Sequence, residues 1–200
     1  GSSRKTVAAA HRKNRIIWMG FLPPNTVLSA WKSSFSHIVT IKITARTDSG
    51  IRSNTPPSSK TAANIKKLEK SELLPGMENF LKQARAAGIK IALGSASKNS
   101  PLILDRLGIT ELFDAVVDGT RVNRAKPDPE VFVTGAEDLG IDPEYCVVFE
   151  DAVAGVQAAH NAGMKAVGIG SPEILGQAEL VIPGFANVTV NDLLQKLENV

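Results

Sequence analysis

From residue 70 onward the chain alternates short apolar runs with longer segments of helical spacing, and no other feature limits its fold so strongly. The runs at 89–93, 115–117, 146–149, 166–169 and 180–182 are rich in β-branched residues and bounded by Gly, Asp or Pro. Those are the marks of strands buried on both faces of a parallel sheet. Between them, 76–87 places Met77, Phe80, Leu81 and Ala84 at helical spacing and stops at Gly88, a suitable C-cap. Ser100-Pro101 reads as an N-cap followed by proline at the first helical position, and Asp128-Pro129 repeats the pattern. Leu193, Leu194 and Leu197 form the apolar face of a short closing helix. Strand–helix repeats of this length predict an α/β fold with a doubly wound, parallel, Rossmann-like sheet.

Ligands of such sheets bind outside the carboxyl ends of the strands, so the residues that follow each strand are the ones to inspect. After the first come Gly94-Ser95-Ala96-Ser97-Lys98-Asn99, with small hydroxyls, a cation and an amide leading into a helix. Free N–H groups, the helix dipole and a hydroxyl suit a phosphate there; a polar loop with a capped helix is the alternative. Lys126, in Arg124-Ala125-Lys126-Pro127-Asp128-Pro129, stands where a lysine can hold a phosphate or a carboxylate, or simply face water. The run at 146–149 leads directly into Glu150-Asp151-Ala152-Val153-Ala154-Gly155. Paired carboxylates at a strand end suit a hard cation such as Mg²⁺. Helix capping by Asp151 is the competing reading, and Gly155 can serve close helix–sheet packing.

The first third of the chain is a different kind of sequence. Residues 1–67 hold twelve Lys and Arg against a single acid, Asp48, whereas 68–200 hold eleven against nineteen acids. Both tryptophans, Trp18 and Trp31, fall in the basic stretch, as do Pro23-Pro24 and Pro56-Pro57. With Cys146 the only cysteine of 200 residues, an internal disulfide or a thiol-held metal cluster is excluded. That points to a reducing, cytoplasmic address, and no apolar run approaches the length of a membrane span or ends in a secretory cleavage site. Cys146 itself falls within a strand and reads as a small buried hydrophobe. His160 is placed on a helix surface, and His11 and His37 stand without partners at metal-ligand spacing.

Taken together, Leu73-Leu74-Pro75-Gly76, the 91–99 segment with its Gly94-Ser95-Ala96-Ser97-Lys98-Asn99, Lys126-Pro127-Asp128-Pro129 and Phe149-Glu150-Asp151-Ala152-Val153-Ala154-Gly155 resemble the haloacid dehalogenase superfamily. The resemblance is greatest to its β-phosphoglucomutase branch and covers about two-thirds of the chain, from Ser71 to Val200. It implies that Ser95 hydrogen-bonds the transferring phosphoryl group and that Lys126 stabilises its charge. It implies also that Glu150 and Asp151 hold Mg²⁺, and that Ala96, Ser97, Lys98 and Asn99 line the phosphate site. In the mutases the last three of these grip the second phosphate of a sugar bisphosphate. The implied reaction converts β-D-glucose 1-phosphate to glucose 6-phosphate through an aspartyl phosphate; a sugar-phosphate phosphatase or a non-catalytic sugar-phosphate-binding protein are the alternatives. The implied partner is a small sugar phosphate, with no nucleic acid and no membrane, and the implied state is a monomer.

The same resemblance requires an Asp-x-Asp motif at the end of the first strand, and the chain contains none. Asp48, in Arg46-Thr47-Asp48-Ser49-Gly50, has no second aspartate at the required spacing and reads as a turn residue. His11-Arg12-Lys13-Asn14 resembles the last helix of the mutase cap domain, where the basic residue, here Lys13, faces the sugar phosphate; a solvated charge run is the alternative. The domain reading is therefore an α/β core at 68–200 and an atypical segment at 1–67, either remnant cap or non-native and disordered, with the cap absent or incomplete. A damaged reading frame, a transit peptide or a nucleic-acid-binding extension would each produce so basic a stretch. The start at Gly1-Ser2-Ser3, without methionine, suits a fragment. The missing strand belongs in the middle of the sheet, and 38–43, Ile-Val-Thr-Ile-Lys-Ile, is the one good candidate to fill it. Left empty, that gap would expose a costly edge and favour aggregation.

Overall fold

The central gap is filled. The computed structural model describes residues 38–41, 65 and 68–200, and in it Ile38–Ile41 forms β1 of a six-stranded sheet. The other strands are β2 (Lys90–Gly94), β3 (Ala115–Val117), β4 (Cys146–Glu150), β5 (Lys165–Ile169) and β6 (Leu180–Ile182). Their order is β3-β2-β1-β4-β5-β6, and every described pairing is parallel. Ile38 is level with Lys90 on one side and Cys146 on the other, and Ile41 is level with Phe149. The strand expected at 38–43 thus lies between β2 and β4. All strand ends that bear candidate site residues consequently face one edge of the sheet.

Among the described residues the α-helices are α1 (Met77–Ala86), α2 (Ser100–Leu107), α3 (Glu130–Leu139), α4 (Val153–Asn161), α5 (Pro172–Leu175) and α6 (Val190–Glu198). None of the described helices is long and apolar enough to cross a membrane. On one face α3 packs on β2 and β3, and α4 on β4 and β5, around Ala92, Val148, Phe132, Val156 and Ala166. The opposite face holds α1, where Phe80 meets Phe149 edge-on at 5.5 Å and Phe185 at 5.1 Å. Strand alternation produces this division, since Val148 and Phe149 must point to opposite faces. Leu193, Leu194 and Leu197 are buried along α6, as their spacing predicts. Cys146 is buried and hydrogen-bonded to the Asp142 carbonyl at 3.4 Å; burial pushes its thiol pKa up to about 12, which makes it unreactive.

Two capping expectations shift by one residue. The N-cap of α2 is Asn99 and not Ser100, whose buried hydroxyl instead donates to the Ser97 carbonyl at 2.8 Å. The N-cap of α3 is Pro129, and the Asp128 carboxylate accepts the Glu130 N–H at 3.0 Å. At the other end of α1, Gly88 is left-handed (φ 77°), as the expected stop requires.

Asp114, just before β3, ties three elements together. Its carboxylate accepts the Ile91 N–H at 2.9 Å, Arg85 at 3.2 Å and Lys90 at 3.3 Å. Burial works to raise its pKa, but the Ile91 N–H, Lys90 and Arg85 outweigh burial and hold it below 3.8. Asp114→Ala is expected to cost about 1–3 kcal/mol at pH 7, because it strands a half-buried N–H beside the sheet. A depressed folded-state pKa gives stability that is present above the unfolded value and is lost as pH falls through the folded one. Urea unfolding should therefore show the wild-type advantage over Asp114→Ala at pH 7 shrinking below about pH 4.

Candidate active site at the strand ends

Lys126 and Glu150 meet at the carboxyl edge of the sheet. The Lys126 ammonium pairs with Oε1 of Glu150 and lies 4.4 Å from the centroid of the Phe132 ring. Only 16% of the lysine side chain is exposed and none of the glutamate's, so Lys126 is not the water-facing lysine of the alternative reading. The other glutamate oxygen accepts the Asp151 N–H at 3.2 Å. Asp151 is exposed one residue beyond the strand, and the N-cap of α4 is Ala152, so Asp151 is not that helix's cap residue.

The loop that delivers Lys126 is held by its own charges. Glu130 accepts the backbone N–H groups of Arg124 at 2.6 Å and Asn123 at 3.0 Å, and those bonds with the Arg124 charge keep its pKa below the ordinary 4.5. The Arg124 guanidinium pairs with Asp128 at 3.1 Å. Asn161, from the end of α4, donates to the Pro127 carbonyl at 2.9 Å, so the loop is tied to the helix that follows Glu150 and Asp151.

Ser95 follows β2, two strands from β4 in the sheet order. Its hydroxyl oxygen accepts the Ser97 N–H at 3.1 Å, and that of Ser97 accepts the Asn99 N–H at 3.2 Å. A hydroxyl that accepts in this way still has its O–H proton to donate. Ala96 and Lys98 are exposed, and Ser95, Ser97 and Asn99 are half-buried. The loop therefore offers hydroxyls, a cation and the start of α2 at the same edge as the Lys126–Glu150 pair, a combination suited to an oxyanion. Lys13 lies outside the described residues, as do Asp48 and the rest of His11-Arg12-Lys13-Asn14.

Sequence reading missed the turn that supports this loop. After β3, Asp118 is buried and accepts both the N–H of Thr120 at 2.8 Å and its hydroxyl at 2.6 Å. The Ser95 N–H donates to the Val117 carbonyl at 2.9 Å, and the Gly119 N–H to the Ser97 carbonyl at 3.3 Å. A Cβ on Gly119 would approach the Ala96 carbonyl closer than 3.0 Å and the Lys98 nitrogen at 3.2 Å. The rule that exposed the other segments, inspection of each strand end, would have found Asp118-Gly119-Thr120 as well. Gly119→Ala should displace the 96–98 backbone and weaken binding of inorganic phosphate about tenfold, roughly 1.4 kcal/mol, by titration calorimetry. An unchanged dissociation constant would separate this turn from the loop's shape.

The architecture and its similarities decide the family. The model of the haloacid dehalogenase-like hydrolases matches residues 10–163. The chain belongs to the haloacid dehalogenase-like hydrolase family. It is 42% identical over 134 residues to a β-phosphoglucomutase of Bacillus subtilis, a match spanning 67% of this chain and 59% of that protein. To a phosphorylated carbohydrates phosphatase of Thermotoga maritima it is 36% identical over 136 residues, 65% of this chain and 63% of that one. Among solved structures, a β-phosphoglucomutase of Clostridium difficile superposes with a TM-score of 0.67 at 34% identity, covering 70% of this chain and 62% of that chain. The chain thus spans less than two-thirds of the length of these relatives. Ser95 directly follows β2, Glu150 ends β4 with Asp151 next to it, and Lys126 comes from the loop between β3 and α3.

The donor set is compatible with a hard cation. Among the described residues no group of three or more His, Cys, Asp and Glu converges on one point. Mg²⁺ does not need such a cage, since it commonly takes one or two carboxylates and fills its octahedron with water and phosphate oxygens. Asp151 supplies an exposed carboxylate just beyond β4, and Glu150 a buried one whose oxygens already meet Lys126 and the Asp151 N–H, so a cation held by both would share Glu150 with the lysine.

Proposed function

We propose that this chain is a sugar-phosphate-binding core of the β-phosphoglucomutase type, Mg²⁺-dependent in binding and defective in turnover. The observation that supports it is the buried Lys126–Glu150 pair at the sheet edge that also bears the Ser95 loop. In this reading Ser95 donates its O–H to a phosphoryl oxygen, and Lys126 balances the charge of that group at short range in a dry setting. Lys98 and Asn99, with Ser97, receive a second phosphate. Bound Mg²⁺, held by Glu150 and Asp151, would neutralise further phosphoryl charge. The core proposed is 68–200 together with the strand Ile38–Ile41.

The missing step is covalent. No Asp-x-Asp occurs in the sequence, so neither a phosphoryl-accepting carboxylate nor its acid–base partner is supplied at the end of β1. Binding and chemistry come apart in such a chain, because the groups that hold the phosphate are not those that accept it. The phosphatase relatives favour a second reading, a hexose-phosphate hydrolase core with the same phosphate partners.

Calorimetric titration with glucose 6-phosphate and with glucose 1,6-bisphosphate, with and without Mg²⁺, tests both. The mutase-type reading expects Mg²⁺-dependent binding of each, with Lys98→Ala weakening the bisphosphate more than the monophosphate. Equal weakening would favour the phosphatase-type reading. Absence of binding to either compound would refute both.

A further inference from the structure

Gly155 is the third residue of α4, buried, and its backbone is ordinary helix, so its place is not explained by a need for unusual torsion angles. Alanine is the better helix former at such a position. What excludes a side chain there is Glu150. A Cβ built on Gly155 would come closer than 3.0 Å to the carboxylate carbon and to both oxygens of Glu150. No real Cβ approaches other atoms so closely, and this carboxylate has little freedom to retreat. It is fully buried, its Oε1 pairs with Lys126 and its Oε2 accepts the Asp151 N–H. Its backbone is fixed in β4, level with Gly168 of β5.

We propose that Gly155 is a positioning residue: the volume its absent side chain leaves is the volume the Glu150 carboxylate occupies, and through that carboxylate Gly155 fixes the Lys126 ammonium. The bearing of this contact on phosphate rests on the reading of Lys126 given above. A methyl group at 155 would turn the carboxylate aside and draw the ammonium from its seat over Phe132. The helix would be intrinsically stronger and the site weaker.

Two readouts on the folded full chain test this. The first is the rate at which acetic anhydride labels each lysine, followed by mass spectrometry. Gly155→Ala should raise labelling of Lys126 several-fold and leave exposed Lys82 on α1 unchanged. A uniform rise at all lysines, or none at Lys126, would overturn the proposal. The second is the thermal midpoint in two backgrounds. Gly155→Ala should lower it when residue 150 is Glu and fail to lower it beside Glu150→Ser, where the methyl group enters vacated space. Equal loss in both backgrounds would assign Gly155 to general packing. Should Glu150→Ser not fold, Glu150→Asp, shorter by one methylene, gives the same comparison. Inorganic phosphate titrated into wild type and Gly155→Ala then tests the link to function. Weaker phosphate binding by the variant is expected. If wild type itself binds none, the functional reading fails while the labelling result still decides the role of Gly155.

Discussion

Lys126→Met is expected to destabilise the folded chain by about 3–5 kcal/mol, measured by urea unfolding at pH 7. The magnitude follows from Glu150, whose side chain has no exposure and whose Oε1 faces the lysine. Methionine keeps much of the lysine's length and its contact with Phe132, so the loss isolates the charge and not the volume. Removing the cation leaves a buried carboxylate that has lost a charged partner, which low-dielectric surroundings penalise. The double variant Lys126→Met, Glu150→Leu should regain much of the loss, because an apolar replacement of a whole buried pair is often neutral or stabilising. That cycle separates two meanings of the ion pair. If the single variant costs less than about 1 kcal/mol, the pair behaves as a solvated surface bridge and the buried site described above is wrong. If the double variant is as unstable as the single one, the lysine stabilises through contacts other than its charge.

The pair also shows how far the sequence could be read. Strand ends were legible because a run such as Cys-Val-Val-Phe followed by Glu-Asp changes abruptly from apolar to charged, and β4 extends one residue further than that change, to Glu150. The candidate residues on 68–200 could be named one by one for the same reason. Their partnership could not, since Lys126 and Glu150 are separated by a helix and a strand and meet only when α3 crosses the sheet. The displaced caps have a similar origin. Ser100 has the composition of an N-cap, but tertiary burial recruits its hydroxyl to the Ser97 carbonyl and leaves Asn99 at the cap position. Gly155 and Gly119 were visible as letters, but the atoms that forbid a side chain there come from Glu150 and from Ala96, each brought up by a fold that local pattern does not encode. The strand at 38–41 was legible in the other direction, from a vacancy in the expected sheet to the segment able to fill it.

That strand leads to the result with the largest expected magnitude. Supplied with β-glucose 1-phosphate and Mg²⁺, this chain is expected to produce glucose 6-phosphate at a rate about 10⁴ to 10⁶ below that of an intact mutase assayed beside it, the scale of loss when a covalent nucleophile is removed. Hydrolysis of hexose phosphates should be as slow, because both reactions need a group to receive the phosphoryl. The resemblance to the haloacid dehalogenase superfamily puts that group at the end of the first strand, here β1, which lies between β2, leading to Ser95, and β4, leading to Asp151. The sequence there runs Thr40-Ile41-Lys42-Ile43-Thr44, without a carboxylate until Asp48. Asp48→Asn makes the argument decisive. If the chain is inactive for want of a nucleophile, the substitution changes nothing, and sugar-phosphate binding persists in both proteins. If turnover is substantial and disappears with Asp48→Asn, then Asp48 is the phosphoryl acceptor, and it acts without the second aspartate of an Asp-x-Asp motif. Turnover that survives Asp48→Asn would instead place the acceptor among the remaining acids, of which Asp151, exposed beside the Lys126–Glu150 pair, is the first to replace.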